Sequence, residues 1–285
     1  MRERWVVIAN CQSFGLASSI QSLAKDVDCT ACDHWEFARR IAEDPDHFSG
    51  YDFAVVMPEI RDWAAGKPFT LPAYAHVPSF QFHAYHPDCV YVFADGEAVN
   101  GFAGPYHSMI ALAAYKEGLS AEQAASLFNP EIFTAAGYFD FWIPERDTMI
   151  ERFRAHGLEI GATFVRRSRG RSFMHTINHP KIEILFDFAH AVLAKIGRPI
   201  HADAMPPPDA LAGTTWPIYP AIGAHLGVRG AYLFHAPNDP TPLDLMGFLE
   251  RSLADYAAWD RSRLRVKWYI QPRLLRLREA IRAAL

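Results

Sequence analysis

Asn10-Cys11-Gln12 closes an apolar run, Trp5-Val6-Val7-Ile8, whose β-branched composition is that of a buried parallel strand. After it Leu16, Ile20 and Leu23 recur at helical spacing, with Ser13 placed to cap the helix. This junction sets a lone cysteine at the carboxyl end of the first strand, beside a helix amino terminus. Ligands bind at that edge of open α/β sheets. Unpaired N–H groups and the helix dipole there favour a thiolate over a thiol, which makes Cys11 a candidate nucleophile. The same position also suits a small cysteine filling a tight turn. The backbone N–H groups of Cys11 and Gln12, or the Gln12 side-chain amide, are candidate oxyanion donors.

A candidate base lies far downstream, in His175-Thr176-Ile177-Asn178-His179-Pro180-Lys181, which runs directly into a periodic apolar segment from Ile182 to Ile196. Proline favours the first turn of a helix, which puts His179 at its cap. There the positive end of the dipole disfavours the imidazolium and leaves a ring nitrogen free to take a proton. Asp88, Glu59 or a backbone carbonyl are the options for orienting that ring.

Upstream of His179, Arg166-Arg167-Ser168-Arg169-Gly170-Arg171 is the densest basic run of the body, and arginine forks suit phosphate oxygens. A solvated basic loop is the alternative. Tyr85, His86, Asp88, Tyr106, His107 and Ser108 combine aromatic faces with hydrogen-bonding tips, the mixture a sugar requires. No metal is expected. Asp88 is the one carboxylate near His83 and His86, and Cys29-x-x-Cys32 has no second pair to complete a zinc site. The chain has no Gly-x-Gly-x-x-Gly after the first strand and no Walker-type Gly-Lys-Ser/Thr, which argues against dinucleotides and ATP.

The elements that must position these groups alternate through the first half. Strands are expected at Val27–Ala31, Phe53–Met57 and Ser79–Phe82, with an amphipathic stretch over Glu36–Glu43 and a long loop from Pro58 to Pro78. That alternation predicts an α/β protein with a mostly parallel sheet flanked by helices, a three-layer core of Rossmann-like type. From Ser108 the pattern turns helical, with a capping box at Ser120-Ala121-Glu122-Gln123 and helices over Glu145–His156, Ile182–Ile196, Leu243–Trp259 and Gln271–Leu285. Met205-Pro206-Pro207-Pro208-Asp209 reads as a linker. It divides an α/β catalytic domain, 1–204, from a helical extension, 205–285, that packs on the core or on a partner subunit.

With half of its 285 residues hydrophobic, the chain fills a core, and its net charge of −4 argues against a general nucleic-acid binder. No apolar run approaches the ~20 residues that cross a bilayer, and no signal-peptide pattern opens the chain. A cytoplasmic protein is expected. Charge is uneven: from Arg261 onward seven Arg and one Lys face the single acid Glu279, a net +7, so the remainder totals −11. That basic segment either meets an anionic ligand, a membrane surface or a neighbouring copy of the chain, or is a solvated face balancing an acidic body.

A nucleophile after the first strand with a His-Pro ahead of a late helix resembles the SGNH (GDSL-type) hydrolases, with Cys11 in place of their serine. The acid expected three residues before the histidine is Thr176, however, and the glycine–asparagine oxyanion block is missing. A second resemblance accounts for more of the chain. Asn10-Cys11-Gln12, Phe82-His83-Ala84-Tyr85-His86-Pro87-Asp88, Gly104-Pro105-Tyr106-His107-Ser108 and Asn178-His179-Pro180, in that order, resemble the WcbI-type polysaccharide biosynthesis family over roughly Arg4 to Ile196. This resemblance implies a coenzyme A-binding acetyltransferase, with acetyl-CoA as cosubstrate and a capsular or surface-glycan sugar as acceptor. Cys11 and His179 are then the reacting pair and the arginine run the phosphate grip. Two alternatives stay open: an SGNH-like carbohydrate esterase or deacetylase, and a non-catalytic glycan- or nucleotide-binding accessory protein.

Overall fold

The computed structural model describes residues 2–236, 239 and 241–284. Its contacts resolve two units, each assembled from three segments of chain: 1–81, 147–169 and 178–212 in the first, and 82–146, 170–177 and 213–285 in the second.

The first unit is built on β1 (Glu3–Ala9), α1 (Ser13–Leu23), β2 (Val27–Asp33), α2 (His34–Glu43), β3 (Phe53–Val56), α3 (Ile60–Ala64) and β4 (Tyr74–His76). The four strands form one parallel sheet in the order β2-β1-β3-β4, with Ile8 opposite both Cys32 and Val56. β1 is central, and its residues from Trp5 to Ala9 are all buried, as a strand covered on both faces requires. α1 buries Leu16, Ile20 and Leu23, while α2 buries Phe37 and Ile41 behind the Asp33 cap. The sheet is the α/β core that the alternation of elements predicts.

The fourth strand lies earlier than expected. Ser79–Phe82 has a strand's apolar composition, but its backbone is satisfied elsewhere: the Phe80 N–H by the Gln12 side chain and the Phe82 N–H by the Ile177 carbonyl. Tyr74–His76, inside the expected loop, pairs with β3 instead.

This unit also holds the greater part of the helix Trp142–Arg154, from residue 147 onward, and the helices Gly161–Arg167 and Ile182–Lys195. The latter buries Ile184, Leu185, Phe188 and Val192 and packs against α1. The approach is close because position 15 is glycine: a Cβ there would lie 2.4 Å from a Leu185 methyl carbon.

The proline-rich run is not a boundary. Met205 accepts a hydrogen bond from Ser22 at 2.7 Å, and the Asp209 carboxylate accepts the Ile182 N–H at 3.0 Å, so this run is tied into the first unit. The division between units follows residue 212 rather than 204, because contacts made by Asp209 outweigh the composition of the three prolines.

The second unit is largely helical. Helices Met109–Glu117, Ala121–Ser126 and Pro130–Ala135 pack with Leu245–Ala257 and Gln271–Ala284. The expected C-terminal extension is thus part of this unit's core rather than an appendage. Ser120 and Gln123 form the anticipated capping box. The core is aromatic, with Phe234 and Phe248 stacked at 3.7 Å.

Candidate active site

Cys11 sits where β1 gives way to α1. In the order β2-β1-β3-β4 the chain leaves β1 toward one side and returns on the other, so this is the switch point at which open sheets bind ligands. The turn is held by Asn10, whose side-chain oxygen accepts the Gln12 N–H at 3.0 Å and faces the Cys11 thiol at 3.9 Å. Its carbonyl accepts the Ser13 N–H at 3.0 Å.

These bonds correct three expectations. Ser13 is the first helical residue, not the cap; Gln12 takes the cap position, and its side chain does not bond to the helix's own N–H groups. The Gln12 N–H is committed to Asn10 and is not a free oxyanion donor. The Cys11 thiol is pushed up to about 11, because burial outweighs the local N–H contribution. A dipole of about half a charge, with its leading N–H groups already engaged, does not offset that loss of hydration.

The Gln12 side chain has a different task. Its amide N–H groups donate to the Phe80 carbonyl at 2.7 Å and the Asn178 carbonyl at 3.0 Å, while its oxygen accepts the Phe80 N–H at 3.1 Å. The buried amide is fully satisfied, so it too is closed as an oxyanion donor. It instead clasps the residue after Cys11 to the residue before His179. Two positions more than 160 residues apart in the chain are thereby joined through their immediate neighbours.

His179 is not at a helix cap. The helix starts at Ile182 with Lys181 as its cap residue, and Asp209 supplies the capping carboxylate. Pro180 therefore precedes the first turn, and the dipole argument for a neutral ring lapses. Of the two carboxylates considered for orienting His179, Asp88 belongs to the second unit, where its oxygens accept from Tyr138 and Tyr219. Glu59 lies just beyond β3 and takes bonds from Ser79 and Arg152 on one oxygen; the other is buried with no partner among the described residues.

The arginine run divides. Arg167 forms a two-point pair with Asp187, at 2.6 and 3.0 Å, and Arg166 reaches the same carboxylate at 3.1 Å. Arg169 is exposed on the turn that follows, beside Gly170 at φ +70°. Arg171 falls in the second unit. Of the run's three arginines in this unit, Arg169 is the one without a salt bridge among the described residues.

The residues expected to hold a sugar turn inward. Tyr85, His86, Asp88, Tyr106, His107 and Ser108 are all buried in the second unit. Tyr85 lies in a nest of Phe82, Trp142 and Phe173. His86 faces the Pro217 carbonyl, and His107 bridges the Tyr256 hydroxyl and the Val99 carbonyl, with burial pushing its imidazole down. Ser108 caps the 109–117 helix. Asp88 accepts both tyrosine hydroxyls at 2.6 Å and the Ile110 N–H at 2.9 Å, and burial raises its carboxyl. The Tyr85 hydroxyl, His86 Nδ1, the Asp88 carboxylate, both His107 nitrogens and the Ser108 hydroxyl thus face internal partners, as buried polar groups generally do.

Phe14, not among the residues singled out from the sequence, lies close to this turn. It is 59% exposed on α1, one turn from Cys11 and opposite the face carrying Leu16 and Ile20. Among the described residues no cluster of three or more His, Cys, Asp or Glu has the arrangement of a metal site, and no helix is long and apolar enough to cross a membrane.

Residues 4–201 match the protein family described as polysaccharide biosynthesis enzyme WcbI. Among solved structures, the fold matches one described as WcbI, a novel polysaccharide biosynthesis enzyme, in a native form without a disulfide bond between coenzyme A and a cysteine of that protein. The match has a TM-score of 0.74 at 14% identity and covers 100% of each chain, which establishes the likeness of fold. No curated protein matches the chain.

Proposed function

The chain belongs to the WcbI family of polysaccharide biosynthesis enzymes, and we propose that it transfers an acetyl group from coenzyme A to a sugar hydroxyl, with His179 as general base and Cys11 lining the acyl site. The observation that carries this reading is the Gln12 clasp, which ties the Cys11 turn to the segment presenting His179 at the carboxyl edge of the sheet. Cys11 is also the one cysteine of the four that is not buried. The fold neighbour's description names coenzyme A together with a cysteine, which agrees with a thioester donor beside this thiol.

A thiol held near 11 is almost wholly protonated at neutral pH. That favours direct transfer over an acyl-enzyme. His179 takes the proton from the acceptor hydroxyl as its oxygen attacks the thioester carbonyl. The carbon–sulfur bond then breaks, and the imidazolium returns the proton to the departing thiolate, leaving an ester and free coenzyme A. The Cys11 N–H is the remaining backbone donor of the turn for the developing oxyanion. Arg169 is the arginine of the basic run free to meet a phosphate.

Calorimetric titration with coenzyme A, paired with acetyl-CoA turnover on glycan acceptors, tests the reading. The wild type binds coenzyme A. His179→Ala keeps that binding and loses ~10²–10⁴-fold in turnover, the range for a general base. Ester hydrolysis without coenzyme A binding would make the protein an esterase. Full activity in both Cys11→Ala and His179→Ala would remove catalysis by this pair and leave an accessory role.

A further inference from the structure

The basic C-terminal segment holds two kinds of arginine. On the 271–284 helix, Arg278 and Arg282 clamp Glu117 at 2.5 and 2.8 Å and hold this helix to the one ending at Glu117. Arg273 and Arg276, one turn earlier, have no such carboxylate. Both line a cleft of about 360 Å³ in the second unit, together with His83, Phe141, Glu145 and Tyr269. That volume falls within the ~300–1,000 Å³ of ordinary small-molecule sites.

The chemistry of the walls is specific. The Arg273 guanidinium lies 4.8 Å from the Phe141 ring centroid, and its Nε is buried with no hydrogen-bond partner among the described residues. Arg276 is exposed and, three residues on, is its neighbour on the helix surface. The cleft's carboxylate, Glu145, is already matched: His83 donates its backbone N–H at 3.2 Å and sets Nδ1 at 3.3 Å. Burial alone would raise Glu145, but the bond and charge of His83 outweigh it and bring it down. Glu145 is thus favoured as the carboxylate, its charge also acts on Arg273, and the exposed Arg276 adds a second cation to the cleft. Tyr269 adds a ring that is 58% exposed.

We infer that this cleft binds a nucleoside phosphate, with Arg273 and Arg276 on the phosphate, Tyr269 against the base and Glu145 within reach of ribose hydroxyls. Two guanidiniums that make no salt bridge among the described residues call for an anion, and Arg273 is preorganised by its stack on Phe141. A bare phosphate would leave most of the volume and the Tyr269 face unused. Two sources share this chemistry: the adenosine 3′,5′-bisphosphate end of coenzyme A, and the nucleotide of an activated sugar. The inference stands without acyl transfer, since a sugar nucleotide satisfies it alone.

Titration of the full-length protein with adenosine 3′,5′-bisphosphate and, separately, with uridine and guanosine diphosphates provides the test. At least one binds the wild type saturably, and Arg276→Gln weakens it by about tenfold or more, as loss of a charge-assisted bond predicts. Arg273→Gln does the same, and a thermal melt of each variant shows that the fold is kept; exposed Arg276 carries the test if Arg273→Gln fails to fold. Preference for the bisphosphate assigns the cleft to the donor, and preference for a diphosphate assigns it to the acceptor. Absence of binding by all three at millimolar concentration, or binding unchanged in Arg276→Gln, overturns the inference. Where the inference falls in either of these ways and coenzyme A still binds the wild type, the proposed function stands without this site.

Discussion

The two units use the same polar residue types in opposite ways. At the sheet edge of the first, Cys11 and His179 are half-buried, and the bonds around them run through neighbours: Asn10, Gln12 and Asn178. In the second, Asp88, His86 and His107 sit in the core, with carbonyls and tyrosine hydroxyls on their tips. A histidine or aspartate that is fully satisfied inside a core supports the fold. Cys11 and His179, by contrast, are only partly buried, and their placement is set by the bonds of the residues beside them.

The contrast breaks first at Asp88. Replacing it by alanine strands two tyrosine hydroxyls and the Ile110 N–H, each at roughly 1–3 kcal/mol. The expected loss, about 3–9 kcal/mol, approaches the whole stability of an ordinary domain. Urea denaturation should show Asp88→Ala largely unfolded or strongly shifted, with Asp88→Asn milder because one acceptor oxygen remains. A midpoint within experimental error of wild type would mean that Asp88 is not a structural hub, and the sugar-binding role would return.

A smaller loss is expected where the first unit's two site-bearing helices meet. Gly15→Ala places a methyl 2.4 Å from Leu185, which is itself 1% exposed and cannot swing aside. Overpacking of this kind costs about 1–3 kcal/mol. Because α1 follows Cys11 and the 182–195 helix follows His179, turnover should fall further than coenzyme A binding. Gly161→Ala, with nothing within 4 Å of the added carbon, is the matched control and should leave both melting and turnover unchanged. Equal behaviour of the two variants would show that the helix spacing does not set the site.

The legible part of this molecule is the part written in short-range period. β1, α1, α2 and the 182–195 helix follow from apolar spacing that a few neighbouring residues decide, and the parallel sheet follows from their alternation. What escaped depends on partners far along the chain. Ser79–Phe82 is apolar like a strand, but Gln12 and Ile177 take its N–H groups. His179 loses its cap position because Asp209 caps the helix instead, and Arg167 loses its phosphate role to Asp187. The units interleave, so a boundary read from three prolines falls short of the real one. The positions of Cys11 and His179 near one edge could be anticipated; their link through Gln12 could not, since an amide in a turn carries no sequence mark of its partner.

The finest test of the contrast is the protonation of Cys11 itself. Burial raises this thiol to about 11, and it raises Cys29 and Cys32 to about 12, yet only Cys11 is open to reagent. The thiolate is the reacting form, so below a pKa near 11 its fraction climbs about tenfold per pH unit. Iodoacetamide should therefore modify Cys11 alone, at a rate still rising tenfold per unit between about pH 7 and pH 10. A rate that levels off near pH 8 would place the thiol at or below its ordinary value. The helix start would then be stabilising a thiolate after all, and the transfer would pass through an acylated Cys11 instead of directly to the hydroxyl activated by His179.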